Sequence, residues 1–244
     1  VAGLAAVTAL FANSPERVER LFFLAERSTE VESFCQELAR RRKPYRRVAV
    51  DELARVAGTA MHGGVVALAR PRPMLPFDPQ MAESWRKQAP LVLALDGIGN
   101  PHNLGAIVRT AAFFGLDRLI VSDHPAQAGP SDAAHRVAEG GLEFVQVYRA
   151  AGLPDVLKRL KPAYRIVGTA LGAGRPVEQI PLDRPILLVL GNEESGLDAA
   201  SMAACDDIVT LAGSGWVQSL NVAATAAILI HYFARLGRAG AARG

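Results

Sequence analysis

Two five-residue runs, LVLAL at 91–95 and ILLVL at 186–190, contain no polar residue, and they constrain the fold of this chain more than any other feature. A strand with one wet face alternates apolar and polar positions. A strand that is apolar throughout needs cover on both faces, which a parallel sheet between two layers of helices provides. Similar apolar stretches alternate with helical periods along the rest of the C-terminal two thirds. Strands are expected at 91–95, 118–121, 144–147, 165–169, 186–190 and 208–211, and helices at about 103–115, 131–139, 154–161, 198–204 and 219–236. The pattern predicts an α/β fold built on a mostly parallel, doubly wound sheet.

The first 72 residues read as a separate, smaller α/β unit. A helix is expected at 3–12, strands at 18–25, 47–50 and 65–69, and a short helix from about Asp51. Val31, Phe34, Cys35, Leu38 and Ala39 keep the spacing of an amphipathic helix that ends in the cations Arg40 to Lys43 before Pro44. The proline-dense segment RPRPMLPFDPQ then lacks periodicity, which predicts a linker over 73–88 and a main domain over 89–244. Charge divides along the same line. Residues 1–72 carry 12 Lys/Arg against 8 Asp/Glu, whereas the remainder carries 15 against 16, from totals of 27 and 24. A basic front unit on a near-neutral body suits a polyanion partner. The run from Arg40 to Arg47 reads equally as a solvated helix end or as a phosphate-tracking patch.

The two cysteines, Cys35 and Cys205, lie in helix-like apolar patterns and are expected to be buried thiols rather than a disulfide or metal ligands. The five histidines show no metal-ligand spacing, so no metal is expected. The longest uncharged apolar stretch, 220–233, is too short to span a bilayer; no membrane role and a cytoplasmic location are expected. The sequence opens at Val1 rather than at a methionine, which leaves room for a preceding segment.

Ligands of open parallel sheets bind beyond the carboxyl ends of the strands. Three such ends are unusually rich in Gly and Asn: LDGIGNPHNLGAIVRTAAFFG, LVLGNEESGL and LAGSGWVQSLNVAATAA. Glycine lets bare backbone approach a ligand, and a helix N-terminus offers unpaired N–H groups. The common fingerprints are missing. There is no G-x-x-x-x-G-K-[ST], His102 stands at the third glycine position of a dinucleotide loop, and no G-x-S-x-G elbow occurs. Residue patterns alone stop at an α/β enzyme with three backbone-rich loops.

At those loops the chain resembles the SpoU–TrmH RNA methyltransferases. Asn103, Gly105, Arg109, Thr110 and Ala111 fill that family's N-x-G-x-x-x-R-[ST]-A motif; Gly191, Glu193 and Gly196 match the second motif, and Ser219, Leu220 and Asn221 the third. Ala212 and Gly213 depart from it, standing where the family has Pro and Met. The N-terminal GLAAVTALF and HGGVVALA are similar to a ribosomal-protein-like RNA-binding domain. The resemblance implies a C-terminal trefoil knot, a homodimer, S-adenosylmethionine as donor, and a ribose 2′-OH of rRNA or tRNA as acceptor. It also implies backbone groups at Gly191, Leu211 and Leu220 around the adenine end of the donor, with Leu190 and Thr169 beside them.

The catalytic set expected from the motifs is Arg109, Asn103, Glu193, Ser219 and Asn221. Guanidinium stays protonated, so Arg109 is expected to grip a phosphate, position the 2′-OH and stabilise the developing alkoxide. Each residue also has a plainer reading: a solvated helix arginine at 109, helix caps at Asn103 and Ser219, and a carboxylate at Glu193 that orients Arg109 or Asn103. Trp216 either stacks on a base or packs at a dimer contact. A non-catalytic RNA-binding or ribosome-assembly protein that keeps the fold is the second functional reading.

Overall fold

In the computed structural model, which describes residues 1–86, 88–172 and 174–241 (235–241 by backbone alone), the chain builds two sheets. The first unit comprises α1 (Leu4–Asn13), β1 (Val18–Phe23), α2 (Glu32–Arg40), β2 (Tyr45–Arg47), α3 (Val50–Ala57) and β3 (Val65–Ala69). Its sheet has the order β2-β1-β3, with β1 parallel to β2 and antiparallel to β3. The strand expected at 47–50 instead ends at Arg47. Asp51 and Glu52 favour the first turn of a helix, and α3 takes Val50 as its first residue before stopping at Gly58 in the left-handed conformation.

The main body continues with β4 (Leu75–Pro76), α4 (Pro79–Trp85), β5 (Leu91–Asp96), α5 (Pro101–Phe113), β6 (Arg118–Ser122), α6 (Asp132–Ala138), α7 (Gly141–Phe144) and β7 (Gln146–Ala150). It ends with α8 (Leu153–Leu160), β8 (Arg165–Thr169), β9 (Ile186–Gly191), α9 (Ala199–Ala204), β10 (Asp207–Val209) and α10 (Val222–Ala241). Seven strands form one sheet in the order β10-β8-β9-β5-β6-β7-β4, and every pairing is parallel.

Why the two apolar runs were needed is visible at the centre of this sheet. Leu91, Leu93 and Leu95 of β5, with Ile186, Leu188 and Leu190 of β9, face one core that contains α5 and α10 residues. Val92 and Ala94, with Leu187 and Val189, face the other, under α4, α8 and α9. Period-two side-chain alternation therefore buries every residue of both strands.

Two expectations fail for local reasons. The segment read as a linker carries β4, which pairs with β7, and α4, whose Ala82 and Trp85 are buried. Asp78 caps that helix through the N–H of Gln80, with Pro79 in the first turn, a start signal hidden among the neighbouring prolines. The strand expected at 144–147 starts at Gln146, because Gly141 to Phe144 make the short helix α7. Among the described residues, no helix is long and apolar enough to cross a membrane, and no group of three or more His, Cys, Asp or Glu could hold a metal ion.

α7 is where the two units meet. A Cβ on Gly140 would lie 2.8 Å from Ala9 Cβ of α1, so glycine permits the close approach. Glu143 is buried and accepts a 2.6 Å hydrogen bond from Arg17 Nη1 of the first unit, while Arg72 donates to the carbonyls of Leu142 and Glu143. Removing Arg17 would strand a buried carboxylate whose other oxygen, Oε1, has no partner. Arg17→Met is expected to lower unfolding free energy by about 3–5 kcal/mol in denaturant titration, and adding Glu143→Leu to recover most of it. Equal stabilities of the single and double variants would contradict this account.

Candidate functional site

The order of the main sheet reverses between β9 and β5, and a cavity of about 360 Å³ opens beyond the carboxyl ends of the adjoining strands. Such a volume suits a ligand of nucleoside size. Thr169 at the end of β8, Gly191 at the end of β9, and the segment from Asn192 to Leu197 form one side. Leu211, Gln218, Ser219 and Leu220 of the β10–α10 loop form another, and Val222, Thr225 and Leu229 of α10 complete it. Among the described lining residues, the only ionisable side chains are Glu193 and Glu194. A wall with two carboxylates and no cation disfavours a phosphate and suits a neutral or cationic ligand.

Glu193 ties the three loops together. Its Oε1 accepts from Asn103 Nδ2 at 2.7 Å and from the N–H of Asn100 at 3.4 Å; its Oε2 accepts from the N–H of Gly99 at 3.3 Å. The carboxylate thus sits at the N-terminus of α5, where exposed N–H groups and the helix dipole favour a negative charge. Asn221 Nδ2 in turn donates to Asn103 Oδ1 at 3.0 Å, and Asn221 Oδ1 accepts from the N–H of Ala223. The side-chain amide of Asn103, 8% exposed, is fixed at both ends.

The capping roles fall differently from expectation. Asn100 caps α5 through the N–H of His102, leaving Asn103 inside the first turn, and Asn221 rather than Ser219 caps α10. α10 accordingly begins at Val222, three residues later than expected, and Ser219 is free to line the cavity. Leu211, Leu220 and Thr169 also line it, whereas Leu190 is fully buried in the core and does not. Sequence reasoning passed over Asn192. Its Nδ2 donates to the carbonyl of Gly97 at 2.7 Å and its Oδ1 accepts from the N–H groups of Glu194 and Ser195. An Asn directly after a strand-ending Gly is the turn chemistry that signals such a role.

Arg109 stands apart from this cluster. Six residues beyond Asn103, it is about 9 Å further along α5 and about 120° around it. Its Nη1 pairs with Glu139 Oε1 at 2.9 Å, in solvent, and Glu193 orients Asn103 instead. Trp216 is 92% exposed on the β10–α10 loop. In the basic run of the first unit, Arg40 and Arg41 both pair with Glu37, Lys43 with Glu19, and Arg46 with Glu52. Arg42 and Arg47 have no ion-pair partner among the described residues. Burial pushes the Cys205 thiol up to about 12 and raises that of Cys35, so both stay protonated near neutrality.

Gly191 proves to be required by its own loop. A Cβ there would lie 2.3 Å from Gly196 C and Leu197 N, backbone that cannot step aside cheaply. The first casualty of a side chain there is the turn from Asn192 to Leu197. Gly191→Ala should cost about 1–3 kcal/mol in a thermal or denaturant scan and speed amide exchange of 192–197. Parental stability with parental exchange would rule out the clash.

Residues 90–231 match the SpoU rRNA Methylase family, and residues 1–75 match the RNA 2'-O ribose methyltransferase substrate binding family. The chain is 34% identical over 237 residues to a 23S rRNA (guanosine-2'-O-)-methyltransferase, RlmB, of Acinetobacter baylyi, covering 94% of each protein. It is also 34% identical over 243 residues to a tRNA/rRNA methyltransferase of Escherichia coli O157:H7 named YfiF and called uncharacterized, covering 98% of this chain and 68% of that protein. Its fold is shared with the SpoU methyltransferase AviRb of Streptomyces viridochromogenes in complex with AdoMet, at a TM-score of 0.79 and 24% identity over 98% of this chain and 90% of that one. With both domain matches in order and a cavity at the strand ends joining the motif loops, the chain belongs to the SpoU rRNA methylase family.

Proposed function

We propose that this protein transfers a methyl group from S-adenosylmethionine to a ribose 2′-OH of rRNA, with a guanosine of 23S rRNA as the acceptor that its relatives' names suggest. The observation that carries the reading is the Glu193–Asn103–Asn221 chain of hydrogen bonds at the mouth of a nucleoside-sized cavity. The cavity suits the donor. Gly191, Thr169, Leu211 and Leu220 would hold the adenosine, and the carboxylates of Glu193 and Glu194 favour a cation over an anion. When bound, the donor supplies an electrophilic methyl group.

Glu193 already accepts from two side-chain amides and two backbone N–H groups, so its task is to hold Asn103 and the start of α5. Asn103 and Ser219 are positioned to orient the acceptor ribose. Arg109 supplies fixed positive charge for a neighbouring phosphate and for the oxygen as it loses its proton. Residues 1–72, with Arg42 and Arg47 unpaired, are read as the RNA-docking unit. A trefoil-knotted path between β9 and α10 belongs to the same reading and is supported by family membership.

Because Arg109 points away from Asn103 on the same helix, a second copy of the chain is the economical way to bring an arginine to each cavity. A surface suited to that copy is present. Ala224, Ile228 and His231 form an exposed stripe on α10, while Ala226, Ile230 and Phe233 are buried in the protomer's own core. Exposed Phe113 at the end of α5 adds apolar area. Light scattering at micromolar concentration should give a dimer mass, and Ile228→Asp should shift it towards the monomer. A parent that runs as a monomer contradicts the assembly.

The fork geometry of Arg109 gives the catalytic test. Lysine is a point charge, so Arg109→Lys should lower single-turnover methylation of 23S rRNA by about 10²–10³-fold while calorimetric affinity for S-adenosylmethionine is unchanged. Mixing Arg109→Ala with Asn103→Ala protein should restore part of the rate if the arginine serves across the dimer. A lysine variant at the parental rate would eliminate the bidentate role. Tight donor binding without methyl transfer to any rRNA or tRNA would favour the non-catalytic reading.

A further inference from the structure

Glu139 is one of two non-glycine residues with positive φ among the described residues, at φ 44° and ψ 46°. The left-handed region is unfavourable for a residue with a Cβ, and Gly or Asn ordinarily ends a helix there. Glutamate at the end of α6 therefore carries a backbone cost that glycine would not, and among the described residues its side chain forms a single ion pair, with Arg109 at 2.9 Å. Both side chains are about half exposed, 54% and 56%, and an exposed pair of this kind adds little stability. Its value has to lie in where it puts the arginine.

The surroundings fix that position from two sides. A Cβ on Gly140 would meet Ala6 Cα and Ala9 Cβ of α1, and one on Gly141 would lie 3.3 Å from Arg109 Cα. α6 itself packs on α5 so closely that a Cβ on Gly105 would lie 2.6 Å from the carbonyl oxygen of Ala134. Glu139 is thus held between the RNA-docking unit and the arginine helix. It occupies only Nη1 of the guanidinium; Nε and Nη2 have no acceptor among the described residues. A planar cation paired at one prong leaves its opposite edge open, and a carboxylate on a fixed helix end biases where that edge lies, which favours two-pronged phosphate binding.

We propose that Glu139 is a positioning residue for Arg109, holding the guanidinium so that its Nε–Nη2 edge meets an RNA phosphate. The inference rests on the role given to Arg109 in the proposed methyl transfer. Its sign is opposite to that of a solvated carboxylate or of a carboxylate that competes with RNA. Removing either of those relieves repulsion and tightens RNA binding, whereas removing a positioning group weakens it.

The variant for the test is Glu139→Gly, because glycine keeps the left-handed backbone while deleting the carboxylate. Filter binding to an unmodified 23S rRNA transcript should show affinity reduced about 3–10-fold, and single-turnover methylation at saturating RNA should fall about 10-fold. Glu139→Gln, which retains an acceptor oxygen, should recover much of both. In an Arg109→Ala background the Glu139→Gly change should have no further effect. Unchanged or tighter RNA binding by Glu139→Gly would overturn the proposal, as would an equal loss in the Arg109→Ala background. Methylation failing in the parent while the binding coupling persists would instead refute the enzymatic reading and leave the Glu139–Arg109 assignment standing.

Discussion

The site depends on one carboxylate. Glu193 belongs to the loop after β9, yet it accepts from the N–H groups of Gly99 and Asn100 and the amide of Asn103 at the entrance to α5, as well as from Asn192 of its own loop. The two backbone N–H groups lie just ahead of a helix and would otherwise need water or another acceptor. By supplying the anion from a neighbouring strand end, the fold closes the gap where the sheet order reverses. Asn221 extends the chain of amides to the third loop and caps α10 with its other oxygen. Hydrogen bonds to a charged acceptor are stronger than neutral ones, and the shortest here is the 2.7 Å bond from Asn103. Asn192, bonded to the carbonyl of Gly97 and to its own turn, braces the same junction from behind.

What the sequence disclosed follows from which signals are local. The strands at 165–169 and 65–69 were legible to the residue because both are short apolar runs with turn chemistry on each side. β4 was not legible: two residues among prolines carry no period, and their pairing with β7 is a long-range fact. α7 carries no signal of its own and the strand after it was expected two residues early, at Phe144, because LEFVQV is apolar in both periods; the docking of α1 on Gly140 is invisible in one dimension.

The motif residues divide in the same way. Glu193, Asn103 and Asn221 come together as their sequence context suggested, while Ser219 and Asn221 exchange the capping role. Gly105 and Gly191 are present for the protein's own packing, since a Cβ at either would strike backbone. Glycine in a motif loop is therefore weak evidence of ligand contact by itself. Leu190 shows the converse error: adjacency to a cavity residue in a strand does not bring a side chain to the cavity, because the next residue faces the other way.

The position of Arg109 follows from helix geometry. On α5, Leu104, Ile107, Val108 and Ala111 are committed to the core, and Asn103 to the junction with Glu193. A residue six positions beyond Asn103 cannot share its direction on a helix with 3.6 residues per turn. Arg109 therefore leaves α5 in a different direction from Asn103, and the exposed stripe on α10 lies on a helix that packs against α5. The N-terminal unit reaches the same region by another route, through α1 on Gly140 and Arg17 on Glu143. The contacts of the N-terminal unit and the Arg109–Glu139 pair thus meet on the segment from α6 to α7.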